Sequence, residues 1–299
     1  MAAKILFGNY KGGVGKTTST YQAALALNSR DGSKVLLIDL DSQSSLSEIY
    51  CELSGEILNE IPHDETLNYI LYQTAKNQSA GIEKQSLSCT EEDLVSRNSY
   101  FVKSKNIIKT ENGIDFILNS LYSEYGGLDT ISIDYMNNCI GNLLILRNFI
   151  ENNDLDSKYD YILFDCPPSD NLITRMAFLY CDYYVIPTIM DRLSARGVKH
   201  YIYRIEGVYE KYCIENGHAK YFGGKPGFIG IFETMRKGNT NTDRYRFVFD
   251  GLPLFRSFIR HLKEISESTG SSNISSCHDY FGLTQELKDR VQKLNRRKN

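Results

Sequence analysis

The 299-residue sequence predicts an α/β protein built on a doubly wound, mostly parallel sheet flanked by helices. Two observations carry that expectation. Short continuous apolar runs recur along the chain, the pattern of strands buried on both faces of a parallel sheet. Between them lie stretches with helical spacing of apolar residues rather than tight hairpin turns.

In chain order, Ala3 to Gly8 (AKILFG) is a strand that ends in glycine, and Thr17 to Leu27 (TTSTYQAALAL) is a helix after a glycine-rich loop. Val35 to Asp39 (VLLID) completes the first βαβ unit. Further strands are expected at Tyr161 to Asp165 (YILFD), just ahead of Pro167 and Pro168, at Tyr183 to Pro187 (YYVIP) and at Phe228 to Phe232 (FIGIF). Ile114 to Leu118 (IDFIL) also reads as a strand, and Asn142 to Ile150 (NLLILRNFI) as a helix with a buried face. Residues 48–112 are polar and acidic, and predict helices and loops at the sheet's edge. Ser266 to Ser276 (SESTGSSNISS) predicts a loop before a last helix. The expectation is one domain over residues 1–299, with a divergent polar helical insertion at about 48–112.

Composition narrows the function classes. Hydrophobic residues make up 41% and aromatics 12%, too many for a disordered chain, and no repeat supports a collagen or coiled-coil reading. The seven cysteines stand singly with no zinc-like spacing, so reduced thiols and a cytoplasmic location are expected. No run has the length of a membrane span, and the amino terminus shows no secretory pattern. The formal charge of −3 hides a dipole: residues 1–195 carry −11 and residues 196–299 carry +8. A basic carboxyl-terminal third suits nucleic-acid phosphates.

Chemistry concentrates in Gly8 to Thr18, GNYKGGVGKTT. The standard pattern GxxxxGK[ST] would place glycine where Tyr10 stands, so the match is not complete. The chemistry still holds. Gly12, Gly13, Val14 and Gly15 can turn backbone N–H groups toward phosphate oxygens at a helix amino terminus. Lys16 supplies a cation to the β- and γ-phosphates, the Thr17 hydroxyl a Mg²⁺ ligand, and Thr18 a donor to the α-phosphate. Asp165 ends an apolar strand, where a carboxylate can hold the Mg²⁺ shell. Asp39 and Asp41 flank Leu40 at a strand end, and strand alternation points both to one side. For Asp41 a competing reading is an N-cap of the helix through Ser44 to Ile49, a role that Ser42 or Ser44 could fill equally.

KGGVGKTT at Lys11 to Thr18 resembles the deviant Walker A motif of the ParA/MinD group of P-loop ATPases. LLIDLDSQSSLS at Leu36 to Ser47 resembles that family's DxDPQ segment with Ser42 in place of proline. YILFDCPPS at Tyr161 to Ser169 is similar to its Walker B strand, and VIPTIMDRLSARG at Val185 to Gly197 to the strand and loop that follow. Cys166 and Cys181 suggest the related nitrogenase iron protein type, but the DLDSQ segment and the lack of a glycine-flanked cysteine pair favour plain buried thiols.

The resemblance implies a P-loop NTPase fold, an ATPase weak on its own, and ATP/ADP with Mg²⁺ as ligands. It implies that Lys11 reaches across an ATP-sandwich homodimer to the partner's phosphates, that Asp41 orients the attacking water, and that Asp39 sits nearer the metal with Thr17 and Asp165. Pro187, Thr234 and Met235 complete the implied nucleotide contacts. It further implies nonspecific double-stranded DNA as a partner, met by Arg236, Lys237, Arg256, Arg260 and Lys263, and a ParB-like centromere-binding adaptor that stimulates hydrolysis. The expected protein is therefore a nucleoid-associated partition ATPase that segregates plasmid or chromosome DNA. Because the loop begins at residue 11, no amino-terminal helix-turn-helix is expected. The alternative is a MinD-like or other cargo-positioning ATPase acting on membrane or on a microcompartment. The tail GLTQELKDRVQKLNRRKN bears on it: Leu283, Leu287, Val291 and Leu294 form one helical stripe, read as core packing rather than a membrane grip.

Overall fold

The computed structural model describes residues 1–83, 106–137, 139–238, 249, 251–261 and 278–298. Eight strands of these residues form one sheet: β1 (Ala3–Phe7), β2 (Val35–Asp39), β3 (Ile108–Glu111), β4 (Ile114–Ile117), β5 (Tyr161–Asp165), β6 (Tyr183–Thr188), β7 (Gly227–Arg236) and β8 (Leu254–Arg260). Their order is β3-β4-β2-β5-β1-β6-β7-β8, and every neighbouring pair is parallel except β3 with β4. The expected doubly wound sheet is what forms.

The apolar runs make strands because both faces are covered. On one face Leu6, Leu36, Ile38, Ile162 and Phe164 pack beneath α3 (Leu67–Glu83), α4 (Leu128–Asp134), α5 (Ile140–Leu143), α6 (Ile145–Asn152), α7 (Leu155–Lys158), α8 (Leu172–Tyr180) and α9 (Arg192–Tyr209). On the other, Ile5, Phe7, Val35, Leu37 and Leu163 pack under α1 (Lys16–Asp31), α2 (Ser45–Ser54) and α10 (His278–Lys298). Strand alternation sends consecutive residues to opposite cores.

Three local differences from the sequence expectation have physical causes. The helix expected over 142–150 is two helices, because the Leu144 N–H divides between Ile140 and Gly141 carbonyls and breaks the α ladder. The acidic segment contributes an unexpected edge strand, β3, returned into β4 by Asn112 (φ 52°) and Gly113 (φ 74°), a two-residue turn of left-handed residues. The edge strand β8 carries the Arg256 and Arg260 region. The expected helices near residues 48–112 are α2 and α3. The loop expected at Ser266 to Ser276 lies outside the described residues.

The last helix keeps its apolar stripe inside: Leu283, Leu287 and Val291 are buried, and Leu294 packs against the same core. Among the described residues no helix is long and apolar enough to cross a membrane.

Candidate functional site

The carboxyl ends of β1, β2, β5, β6 and β7 meet on one side of the sheet, the crevice where doubly wound folds place ligands. The chain leaves β1 through Gly8, which lies so close to α9 that a Cβ there would sit 1.9 Å from the Tyr201 hydroxyl. Asn9 then donates to the Pro187 carbonyl at 2.9 Å and accepts the Lys11 N–H at 3.0 Å, tying the loop to the end of β6. Tyr10, where the standard pattern has glycine, anchors the loop sideways by packing edge-on against Tyr201, with ring centroids 4.8 Å apart. Gly13 (φ 68°) and Gly15 (φ 75°) take left-handed conformations that L side chains rarely adopt, and Gly15 hands the chain to α1.

The loop is also closed from the far side. Thr234 at the end of β7 donates from its hydroxyl to the Val14 carbonyl at 2.8 Å. Met235, itself left-handed at φ 54°, stands against Gly15. A cleft of about 440 Å³ opens between Gly12, Gly13, Gly15, Lys16, Thr17, Thr18, Asp41, Gln43, Ser45, Pro168 and Met235. The structure thus gathers Gly12, Gly13, Gly15, Lys16, Thr17 and Thr18 with Asp41 and Met235, leaves Lys11 and buried Val14 out of the cleft lining, and ties Thr234 and Pro187 to the loop as supports.

Electrostatics in this crevice are unbalanced. Lys16 is buried, and burial pulls its ammonium below the usual lysine range while Asp165 and Asp41 oppose the shift. Asp165 is fully buried, and burial pushes its carboxyl up to about 7, against a hydrogen bond from Thr17; the Asp41 charge adds to the rise and Lys16 offsets it. Its Oδ1 takes the Thr20 hydroxyl at 3.4 Å, while Oδ2 is buried and has no hydrogen-bond partner among the described residues. An orphaned buried carboxylate oxygen beside a threonine hydroxyl and a phosphate loop fits a hydrated divalent cation.

Asp39, expected near the metal, is hydrogen-bonded within its own segment. Its Oδ2 accepts Ser47 N–H (2.8 Å) and Ser47 Oγ (2.7 Å), and its Oδ1 accepts the Asp41 N–H at 3.1 Å. Burial first, and the charge of Asp165 second, still hold its carboxyl well above the usual range. Asp41 is no N-cap: Ser44 occupies that position, left-handed at φ 55° and without a side-chain cap bond. The Asp41 carboxylate accepts Gln43 N–H through Oδ1 and opens to the cleft.

Lys11 is engaged within its own chain. Its ammonium meets Asp191 Oδ2 and Ser194 Oγ, each at 2.8 Å, at the start of α9, where Asp191 is the N-cap. Burial would raise the Asp191 carboxyl, but hydrogen bonds from Lys11 and Ser194 outweigh it and hold the group below the usual range.

The basic residues gather on the β7–β8 edge. Arg236 faces Arg260 across the strand pair, stacks 4.1 Å over Phe258 and pairs with Glu233 at 3.7 Å. Arg256 and Lys237 are exposed, and Arg260 is exposed but paired with Asp279 at 3.0 Å. Lys263 lies outside the described residues. Cys166 and Cys181 are buried free thiols. Asn9, Asp191 and Asn119 went unnoticed in the sequence. Asp191 and Ser194 lie within the Val185 to Gly197 segment, whereas Asn119 lies 80 residues from Asp39 with no local signal.

A family profile for the AAA domain (AAA_31) matches residues 2–216. The chain is a ParA/MinD-type P-loop ATPase. This ATPase is 25% identical over 300 residues to the virulence plasmid ParA family protein pGP5-D of Chlamydia psittaci, covering 96% of this chain and 95% of that one. It is 27% identical over 194 residues to the cell division protein PomZ of Myxococcus xanthus, covering 65% of this chain and 48% of PomZ, so it spans about half that relative's length. A putative plasmid partition protein from Borrelia burgdorferi B31, bound to AMPPNP, superposes on the ATPase with a TM-score of 0.68 at 20% identity, covering 98% and 99% of the two chains. The ATP complex of Cyanothece McdA superposes with the same TM-score of 0.68 at 16% identity, covering 97% and 96%.

Proposed function

We propose that this ATPase is a DNA-partition switch: ATP closes a sandwich homodimer, the dimer coats nonspecific double-stranded DNA, and a ParB-like adaptor stimulates the hydrolysis that releases it. The single observation that carries the nucleotide half is the cleft lined by a phosphate loop, Lys16, Thr17 and Asp41, with the unpartnered Asp165 oxygen buried in the same crevice. In this reading the N–H groups of Gly12 to Thr18 and the Lys16 ammonium bind the phosphates. Thr17 and Asp165 would hold Mg²⁺, which would supply charge neutralisation on the β- and γ-phosphates. Asp41 orients the water for in-line attack, and Asp39 supports Asp41 through its N–H rather than touching the ion. Plasmid DNA as cargo is supported by likeness to the chlamydial ParA family protein and the Borrelia partition protein.

DNA contact is assigned to the β7–β8 edge, by phosphate contacts without base readout. A membrane-gripping alternative loses its helix, because the apolar stripe of α10 is spent on the core. For Lys11 to reach a second subunit it must leave Asp191. The deciding experiment measures ATP-dependent binding separately to duplex DNA and to anionic liposomes. DNA binding that needs ATP and is lost in Lys11→Ala, while monomeric ATP binding survives, is the expected result. Liposome binding without DNA binding would overturn the reading.

A further inference from the structure

Asn119 lies just past the end of β4 and is fully buried. Nothing in the phosphate loop requires it, yet every polar group of its side chain is directed at the segment that carries Asp41. Its Nδ2 donates to the Asp39 carbonyl at 3.2 Å and to the Asp41 carbonyl at 2.8 Å, so one amide spans Leu40. Its Oδ1 accepts the Ser44 hydroxyl at 2.5 Å. Its backbone N–H donates to Ser47 Oγ at 2.9 Å, and Ser47 Oγ in turn donates to Asp39 Oδ2 at 2.7 Å.

We propose that Asn119 is a positioning residue for hydrolysis: it clamps the backbone from Asp39 to Ser44 and thereby aims the Asp41 carboxylate at the cleft. Two geometric facts argue for aim rather than general packing. A planar amide that satisfies two carbonyls two residues apart holds the 39–40 and 41–42 peptide planes, the latter beginning at Asp41 itself, and so restrains the direction of the Asp41 Cα–Cβ bond between them. Ser44 is held left-handed at φ 55°, an unfavourable conformation for a residue with a Cβ, and its hydroxyl is bonded to Asn119. The segment is therefore over-determined by a residue that is fully buried and does not line the cleft. The Asp41 carbonyl takes a second donor, Ser44 N–H at 2.8 Å, while its carboxylate Oδ2 accepts no hydrogen bond among the described residues and is left for the cleft.

This inference rests on the reading of Asp41 as the water-orienting group, and the test separates the two. Single-turnover ATP hydrolysis and equilibrium binding of a fluorescent ATP analogue are measured for the full chain, Asn119→Ala, Asp41→Ala and the double variant. Misaiming by a fraction of an ångström predicts that Asn119→Ala hydrolyses about 10- to 100-fold slower. ATP affinity should stay within about threefold, because no phosphate contact is lost. In the Asp41→Ala background the same change should slow hydrolysis no further, since there is no carboxylate left to aim. Equal losses of rate and affinity, an unchanged rate, or a full additional loss on top of Asp41→Ala would each overturn the assignment. Should Asp41→Ala itself hydrolyse at the normal rate, the reading of Asp41 fails instead. If Asn119→Ala does not fold, Ser44→Ala, which removes one bond to the clamp, decides by the same criteria: a smaller loss of rate at constant affinity supports the clamp, and an unchanged rate overturns it.

Discussion

Around β1, β2 and β5, charged groups are buried and incompletely answered; along β7, β8 and α10, apart from buried Glu233, they lie near the surface and most are answered in pairs. Lys16, Asp39, Asp41 and Asp165 crowd the first region, with Asp165 Oδ2 orphaned and the Lys16 ammonium pulled down by burial. In the second, Arg260 meets Asp279, Arg290 meets Glu286 and Arg236 lies over Phe258. Charges held in a low dielectric without partners interact strongly with whatever ligand completes them. Charges already paired and half-solvated offer weak, salt-sensitive contacts. That contrast suits a deep nucleotide site and the shallow, reversible DNA face proposed above.

The contrast breaks most visibly at Lys16. Lys16→Ala should weaken ATP binding by about 100-fold or more, given roughly 3 kcal/mol for lost charge-assisted bonds, as titration calorimetry would show. Binding within a few-fold of normal would mean that the buried charge is structural. Gly8→Ala tests the crowding beneath the loop. The new Cβ meets the Tyr201 ring, so denaturant unfolding should show a loss of about 1–3 kcal/mol, partly returned by adding Tyr201→Phe.

At the surface edge the effects should be smaller and graded by pairing. Arg256→Ala should lower DNA affinity evenly across sequences and flatten the salt slope by about one unit. Arg260→Ala should do less, because Asp279 already offsets its charge. Equal slopes for both variants would show that this pairing dissolves on DNA. The smallest effect belongs to Glu286. Burial alone would raise its carboxyl, but donors from Ser257, Arg256 and Arg290 outweigh it and hold the group below the usual range. A depressed folded-state value contributes stability above the unfolded glutamate range of about 4.3, and that contribution is lost as pH falls through the folded value. Glu286→Gln should therefore cost at most about 1 kcal/mol at pH 7, after allowing for solvent screening, and the difference from the unsubstituted chain should close as the solution is acidified. A pH-independent difference would assign the effect to shape alone.

Much of the first region was legible because its information is local. A strand, a glycine loop and a helix follow one another within Ala3 to Asp31, and the loop residues at the cleft are those expected from Lys11 to Thr18. Strands β1, β2 and β5 kept their expected extents to within a residue, since a continuous apolar run buried on both faces has one way to sit. What escaped was either amphipathic or remote. Strand β8 alternates exposed arginines with Phe255 and Ile259, so charge hid its periodicity. The β3–β4 hairpin did carry a readable sign in Asn112-Gly113, overlooked inside an acidic stretch. Asn119 and Asp191 could not be found, because their partners are brought to them only by the sheet order. The hydrogen bonds of Asp39 were hidden for a related reason: strand alternation indicates the side of the sheet but not the Ser47 donors waiting there.

Strand β7 joins the two regions covalently. Thr234 and Met235 touch the phosphate loop, and the next residue, Arg236, sits in register with Arg260 at the basic edge. Those three residues are not a straight strand: Met235 between them is left-handed, and the β7–β8 register shifts between Glu233 and Arg236. The phosphate loop and the basic edge are thus three consecutive residues apart, with a left-handed residue as the bend between them.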